Sequence, residues 1–163
     1  MNINKKLIYN ICRYLLLLLL LISIAQAFYQ SSLSPAKSTA QSDKVGEIIE
    51  EIIPPETPQG QFVQTNIRKL AHFTEFLFIG LFASLYAVFY MKKSLSLPIL
   101  LPFGIFIGLL DETVQIFSDR GPSIKDVWID ALGYATAAVT VVIVYYAVTL
   151  IVGYIKKQRE GVE

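Results

Sequence analysis

The chain has 163 residues, enough for one ordinary domain; 54% are hydrophobic, only 17% are charged, and mean hydropathy is +0.53, the profile of a membrane protein. A formal net charge of +1 excludes the dense basic stripe of a nucleic-acid binder, and the lone Cys12 excludes an internal disulfide and any cysteine-based zinc site.

Lys5, Lys6 and Arg13 lead into an unbroken apolar run from Leu15 to Ile22 that continues to about Tyr29. Counted from Ile8, it is long enough for a hydrocarbon core, which takes about 20 residues. Ala25-Gln26-Ala27 also reads as a signal-peptide cleavage site, but the segment exceeds a typical signal h-region, so retention as an anchor is the preferred reading.

Ser31 to Ser42 reads as a solvated connector. Val45, Ile48, Ile49, Ile52 and Ile53 then recur at helical spacing opposite Glu47, Glu50 and Glu51, predicting a short amphipathic helix that Pro54-Pro55 ends. Glu56 to Gln64 reads as a polar link.

Thr65 or Asn66 is placed to cap a second span from about Ile67 to Tyr90, stopped by Lys92 and Lys93. A third begins near Leu95 or Leu97, with Pro98 and Pro102 in its first turns, and reaches about Phe117. Gly121-Pro122 reads as a turn, Ser123 with Asp126 as a capping pair, and a fourth span as running to about Tyr154. The expected fold is an all-α integral membrane four-helix bundle with a short amphipathic helix in its first extracytoplasmic loop. Its parts are an N-terminal transmembrane segment (1–29), the extracytoplasmic loop (30–65), a three-span core (66–155) and a cytoplasmic tail (156–163).

The three basic clusters, the last being Lys156, Lys157 and Arg159, alternate with the other loops. The positive-inside rule therefore predicts a multi-pass plasma-membrane protein with both termini cytoplasmic. That threading brings two polar groups to the outer leaflet: Arg68, Lys69, His72 and Glu75 on one face of the second span, and the block from Asp111 to Asp130. Ionisable groups at membrane depth cost roughly 2.5–3.5 kcal/mol on insertion scales, so they mark a functional site by default.

An anionic headgroup, phosphate or pyrophosphate is one ligand such a recess would take. The ligand-binding candidates are Arg68, Lys69, His72, Gln115, Arg120, Ser123, Asp126 and Asp130, with arginine supplying bidentate geometry. An enzymatic alternative, transfer or hydrolysis on a lipid-linked substrate, would draw on His72, Glu75, Asp111, Glu112 and Asp126. His72 and Glu75 with Asp111 or Asp126 also match a divalent-metal spacing; one histidine is thin evidence, so neither metal nor cofactor is expected. A third reading makes the set interhelical glue, within a structural or partner-binding membrane protein. In each case Asp119 and Lys125 read as solvated, Ser123 as a cap rather than a nucleophile, Trp128 as an interface anchor, and Gly104, Gly108, Ala131 and Ala135 as close-packing positions. Membrane lipid or a lipid-linked cell-wall precursor is the expected partner, and nucleic acid is not.

Arg68-Lys69-x-x-His72-Phe73-x-Glu75, Asp111-Glu112-x-x-Gln115, Arg120, Ser123, Asp126 and Asp130-x-x-Gly133 together resemble the VanZ-like family of small bacterial membrane proteins, over roughly Tyr29 to Val152. The resemblance implies a four-helix membrane protein of the cell envelope and a link to low-level resistance to the glycopeptide antibiotic teicoplanin. It implies no defined chemistry. Asp130 is a departure, since many relatives carry Asn there; it adds a carboxylate.

Overall fold

The computed structural model describes residues 3–91 and 93–160, with side chains described for 4–91 and 99–159. Five helices follow one another: α1 (Ile3–Ser31), α2 (Pro35–Glu50), α3 (Pro58–Tyr90), α4 (Lys93–Ile116) and α5 (Ile124–Glu160). All but α2 are long and apolar enough to cross a membrane. The all-α four-span expectation therefore holds, with Lys92 outside the described residues.

Two helix starts lie earlier than the sequence suggested. α2 begins at Pro35, behind Ser34 in an extended conformation, and ends at Glu50. The stretch read as a connector is thus mostly helical, while Glu51 to Ile53 form a turn. Helix formers such as Ala36, Lys37, Ala40 and Gln41 need no apolar period to propagate once proline sits in the first turn. Likewise α3 starts at Pro58, where the Thr57 hydroxyl accepts from the Gly60 N–H at 3.0 Å. Thr65 and Asn66 are not caps. They sit inside the helix and donate to the carbonyls of Gln61 and Phe62.

The overhang of α3 carries α2. At 33 residues α3 spans about 50 Å, well beyond a hydrocarbon core of about 30 Å. Its first turns hold α2 in a helical hairpin: Gln64 donates to the Gly46 carbonyl (3.2 Å) and to Glu50 (3.1 Å), and Gly60 lies against the Pro54-Pro55 backbone. Much of the apolar stripe of α2 is turned outward. Gly46 is buried, while Val45, Ile48 and Ile52 are exposed.

The core lies between α3 and α5, with Phe76, Ile79, Ala83, Ala87, Tyr134 and Ala138 buried there and Ala27, Leu100 and Ile107 joining from α1 and α4. Two glycines permit this contact. A Cβ on Gly80 would strike the backbone of Tyr134, and one on Gly133 would strike the carbonyl of Phe73. Gly104 leaves room for the Tyr134 ring, whose hydroxyl donates to the Leu100 carbonyl at 2.8 Å, and Gly108 faces Asp130 and Phe76. Most other large apolar side chains of α1 and α5 point outward, as lipid-facing surfaces should.

Aromatic pairs identify the ends of the bundle. Tyr9 meets Tyr90 edge-on at 4.9 Å, Arg13 donates to the Tyr86 hydroxyl, and Phe89 meets Tyr145. The start of α1, the end of α3 and the later half of α5 therefore share one end. The end of α1, the early part of α3, the end of α4 and the start of α5 share the other.

Because Gly133 abuts main chain rather than a movable side chain, Gly133→Ala should lower stability by about 1–3 kcal/mol, the usual range for overpacking. Gly153→Ala, which meets nothing within 4 Å, should leave the melting temperature in detergent unchanged.

Candidate functional site

Four helices deliver polar side chains to the end of the bundle that α2 covers. The contact between Phe73 and Gly133 places His72, one residue before the first, beside Asp130, three before the second. His72 Nδ1 lies 3.5 Å from Asp130 Oδ1 and 3.8 Å from Asp111 Oδ2. All three side chains are buried: His72 keeps 6% of its surface exposed, and Asp111 and Asp130 keep none. The two polar groups that sequence threading sent to one leaflet do converge.

The carboxylates differ in how well they are satisfied. Glu112 uses both oxygens, accepting from Gln115 Nε2 at 2.9 Å and from the Ser123 backbone N–H at 2.6 Å. It thereby clasps the end of α4 to the start of α5. Asp111 Oδ2 accepts from the Ser31 hydroxyl at 2.6 Å and from Gln115 at 3.3 Å, while its Oδ1 has no partner among the described residues. Neither oxygen of Asp130 has one, and neither does His72 Nδ1.

Ser31 was missed on sequence, where it fell into the connector. It continues the stripe Leu20, Ile24 and Ala27 by one further turn on the buried face of α1, and that periodicity was the available signal. The chain reversal was also misplaced. It falls at Phe117 to Asp119, with Asp119 in the left-handed region at φ 56° and the Arg120 N–H returning to the Gln115 carbonyl at 3.2 Å, as in a Schellman ending. Gly121 and Pro122 follow as irregular chain.

The end of α1 is held by that reversal. The Ser118 hydroxyl donates to the Ser31 carbonyl at 2.7 Å, and Arg120 reaches the Gln30 carbonyl at 3.4 Å, a cation against a helix C-terminus. Burial first, and the positive charge of Arg68 second, push the Arg120 guanidinium below its ordinary pKa. Arg68 is exposed and donates to the Thr39 hydroxyl of α2 at 3.2 Å.

Two recesses flank the His72 face of α3. One, of about 140 Å³, lies between α2 and α3 and is lined by Arg68, His72, Glu75, Arg120, Gln30 and Ser42 among others. The other, about 420 Å³ and shallower, runs past Lys69, Arg68, His72, Asp43 and Asp126. Of the proposed ligand set, Arg68, Lys69, His72, Arg120 and Asp126 border this space. Gln115 and Asp130 are buried behind it, and Ser123 contributes a backbone N–H to Glu112. Glu75 is half-buried on the recess wall; the carboxylates gathered at His72 are Asp111 and Asp130, not Glu75 or Asp126.

A family model described as VanZ/LLP1 matches residues 11–145, including most of the first span, which the motif resemblance left out. No curated protein and no solved structure matches the chain.

Ser31→Ala should cost about 1–2 kcal/mol. A hydrogen bond to a charged group is worth about 1.5–3 kcal/mol, whereas interhelical bonds in membranes average about 0.6. Ser32→Ala removes only a local bond to the Tyr29 carbonyl, so thermal unfolding of the two variants separates a buried brace between helices from an exposed hydroxyl.

Proposed function

The chain belongs to the VanZ/LLP1 family, and from that premise we propose that it holds the phosphate or pyrophosphate headgroup of a membrane lipid or lipid-linked cell-wall precursor in the recess between α2 and α3. One observation carries this reading. Arg68 and Arg120 border the same recess, close enough for one to depress the proton affinity of the other, and no carboxylate lies within 4 Å of either guanidinium among the described residues. An anion between them would relieve that repulsion and accept from both forks. At about 140 Å³ the space is below the roughly 300–1,000 Å³ of sites that enclose a whole small molecule, which favours a headgroup whose tail stays in the bilayer.

Orientation belongs to the same proposal. Lys5, Lys6, Arg13, Lys156, Lys157 and Arg159 cluster at the bundle end away from the recess, and read as cytoplasmic flanks under the positive-inside rule they orient the chain, while Lys37, Lys44, Arg68, Lys69, Arg120 and Lys125 lie toward the recess end. The recess then opens at the outer leaflet of a bacterial plasma membrane. A retained first span fits as well, since α1 buries Ala27 against the core. Lower sensitivity to teicoplanin would follow if a cell-wall precursor is the lipid held.

Native mass spectrometry of detergent-released protein should find a co-purifying phosphate-bearing lipid. Arg68→Ala and Arg120→Ala should each weaken binding to vesicles containing it by about ten- to a hundredfold, the equivalent of about 1.5–3 kcal/mol per charged hydrogen-bonding group. Unchanged binding in both variants counts against the reading. Reporter fusions after Met91 and after Gly121 should report opposite sides of the membrane.

A further inference from the structure

Behind the recess wall lies a group of atoms for which anion binding has no use. One ligand atom each from His72, Asp111 and Asp130 lies within 4.8 Å of the others, and each residue comes from a different spanning helix. His72 Nδ1, Asp111 Oδ1 and both oxygens of Asp130 are buried and lack a hydrogen-bond partner among the described residues. Asp111 is satisfied at one oxygen only and Asp130 at neither, and a buried carboxylate left uncompensated costs several kcal/mol. An imidazolium at His72 would supply one positive charge, and its Nδ1–H can point at only one of the two acids. A divalent cation neutralises both.

The spacing suits such an ion. Two ligand atoms at about 2.1 Å from one tetrahedral centre stand about 3.4 Å apart, close to the 3.5 Å and 3.8 Å measured from His72 Nδ1 to the two carboxylates. One imidazole and two carboxylates suit zinc or a neighbouring first-row ion; Ca²⁺ wants six to eight oxygens, and Mg²⁺ keeps most of its water. An outer layer is also in place. Ser31 and Gln115 both donate to Asp111 Oδ2, the oxygen 3.8 Å from His72 Nδ1, and so orient that carboxylate toward the cluster.

We propose that His72, Asp111 and Asp130 form a binding site for a divalent first-row ion, zinc being the best match, held by three protein ligands between α3, α4 and α5. A fourth position on a tetrahedral ion is then left for water or a ligand oxygen. The recess that His72 shares with Glu75 and Arg120 is the route by which either would arrive. This proposal does not rest on the headgroup reading.

Full-length protein in detergent, stripped with a chelator and reloaded with Zn²⁺ in phosphate-free buffer, should retain one ion per chain by elemental analysis, and excess Mg²⁺ should not displace it. Co²⁺ in its place should give the visible absorption of a tetrahedral site. Asp130→Asn and His72→Gln should each weaken Zn²⁺ binding at least about tenfold, since even losing an outer-shell partner costs about that much. Glu47→Gln, on the exposed face of α2, should bind as the parent does. The unmutated protein decides the matter even if the ligand variants do not fold. Fewer than one ion per two chains, or full uptake by folded Asp130→Asn, overturns the site and leaves an imidazolium shared between two acids. Lipid plays no part in the assay, so failure here and failure of headgroup binding are separate results.

Discussion

The seating of α5 on α3 at Gly80 and Gly133 is the constraint from which the rest of the molecule follows. In lipid there is no hydrophobic drive to bring two apolar helices together, so close packing and interhelical hydrogen bonds must do it. Both glycines meet main chain, which cannot swing aside as a side chain would. The distance between the axes is therefore fixed by backbone, and with it the distance between His72 and Asp130. α4 is positioned in turn by Tyr134, whose ring fills the notch at Gly104 and whose hydroxyl ties back to Leu100. That lodges Asp111 on the third side of the cluster.

The three buried acids are separated by their surroundings into different roles. Glu112 spends both oxygens on Gln115 and on the first turn of α5, and is a structural clasp. Asp111 spends one, and Asp130 none. Hydrogen bonding between helices accounts for Glu112, Gln115 and Ser31 but does not extend to Asp130. Its unsatisfied oxygens are a cost that packing alone does not offset.

Much of this was legible in the sequence. Four apolar stretches, the order of charge between them and the i, i+3 and i, i+4 spacing around His72 and Asp111 were enough to foresee convergence at one end of a bundle. What escaped had physical causes. Helix starts at Pro35 and Pro58 depend on proline and on Thr57 as a cap rather than on apolar periodicity, and both segments are too polar to register as helix by pattern. The reversal took Asp119 into a left-handed conformation although Gly121 was nearby, because the Gln115 carbonyl accepts from the Arg120 N–H. Small residues were singled out at Gly104 and Gly108, yet the backbone contacts between spans fall at Gly80 and Gly133. Sequence shows which positions are small, but not which of them meets main chain.

The last turn of α1 has a wider reach than its position suggests. Its Gln30 carbonyl steadies Arg120, and only Ser32 to Ser34 separate its end from α2, where Thr39 holds Arg68. Neither arginine belongs to the first span, yet both are moored to it, one directly and one through a three-residue tether. The N-terminal helix thus works as a gauge block that sets the width of the jaws. A shift of that helix along its axis would change the spacing of the two arginines without disturbing the seam between α3 and α5.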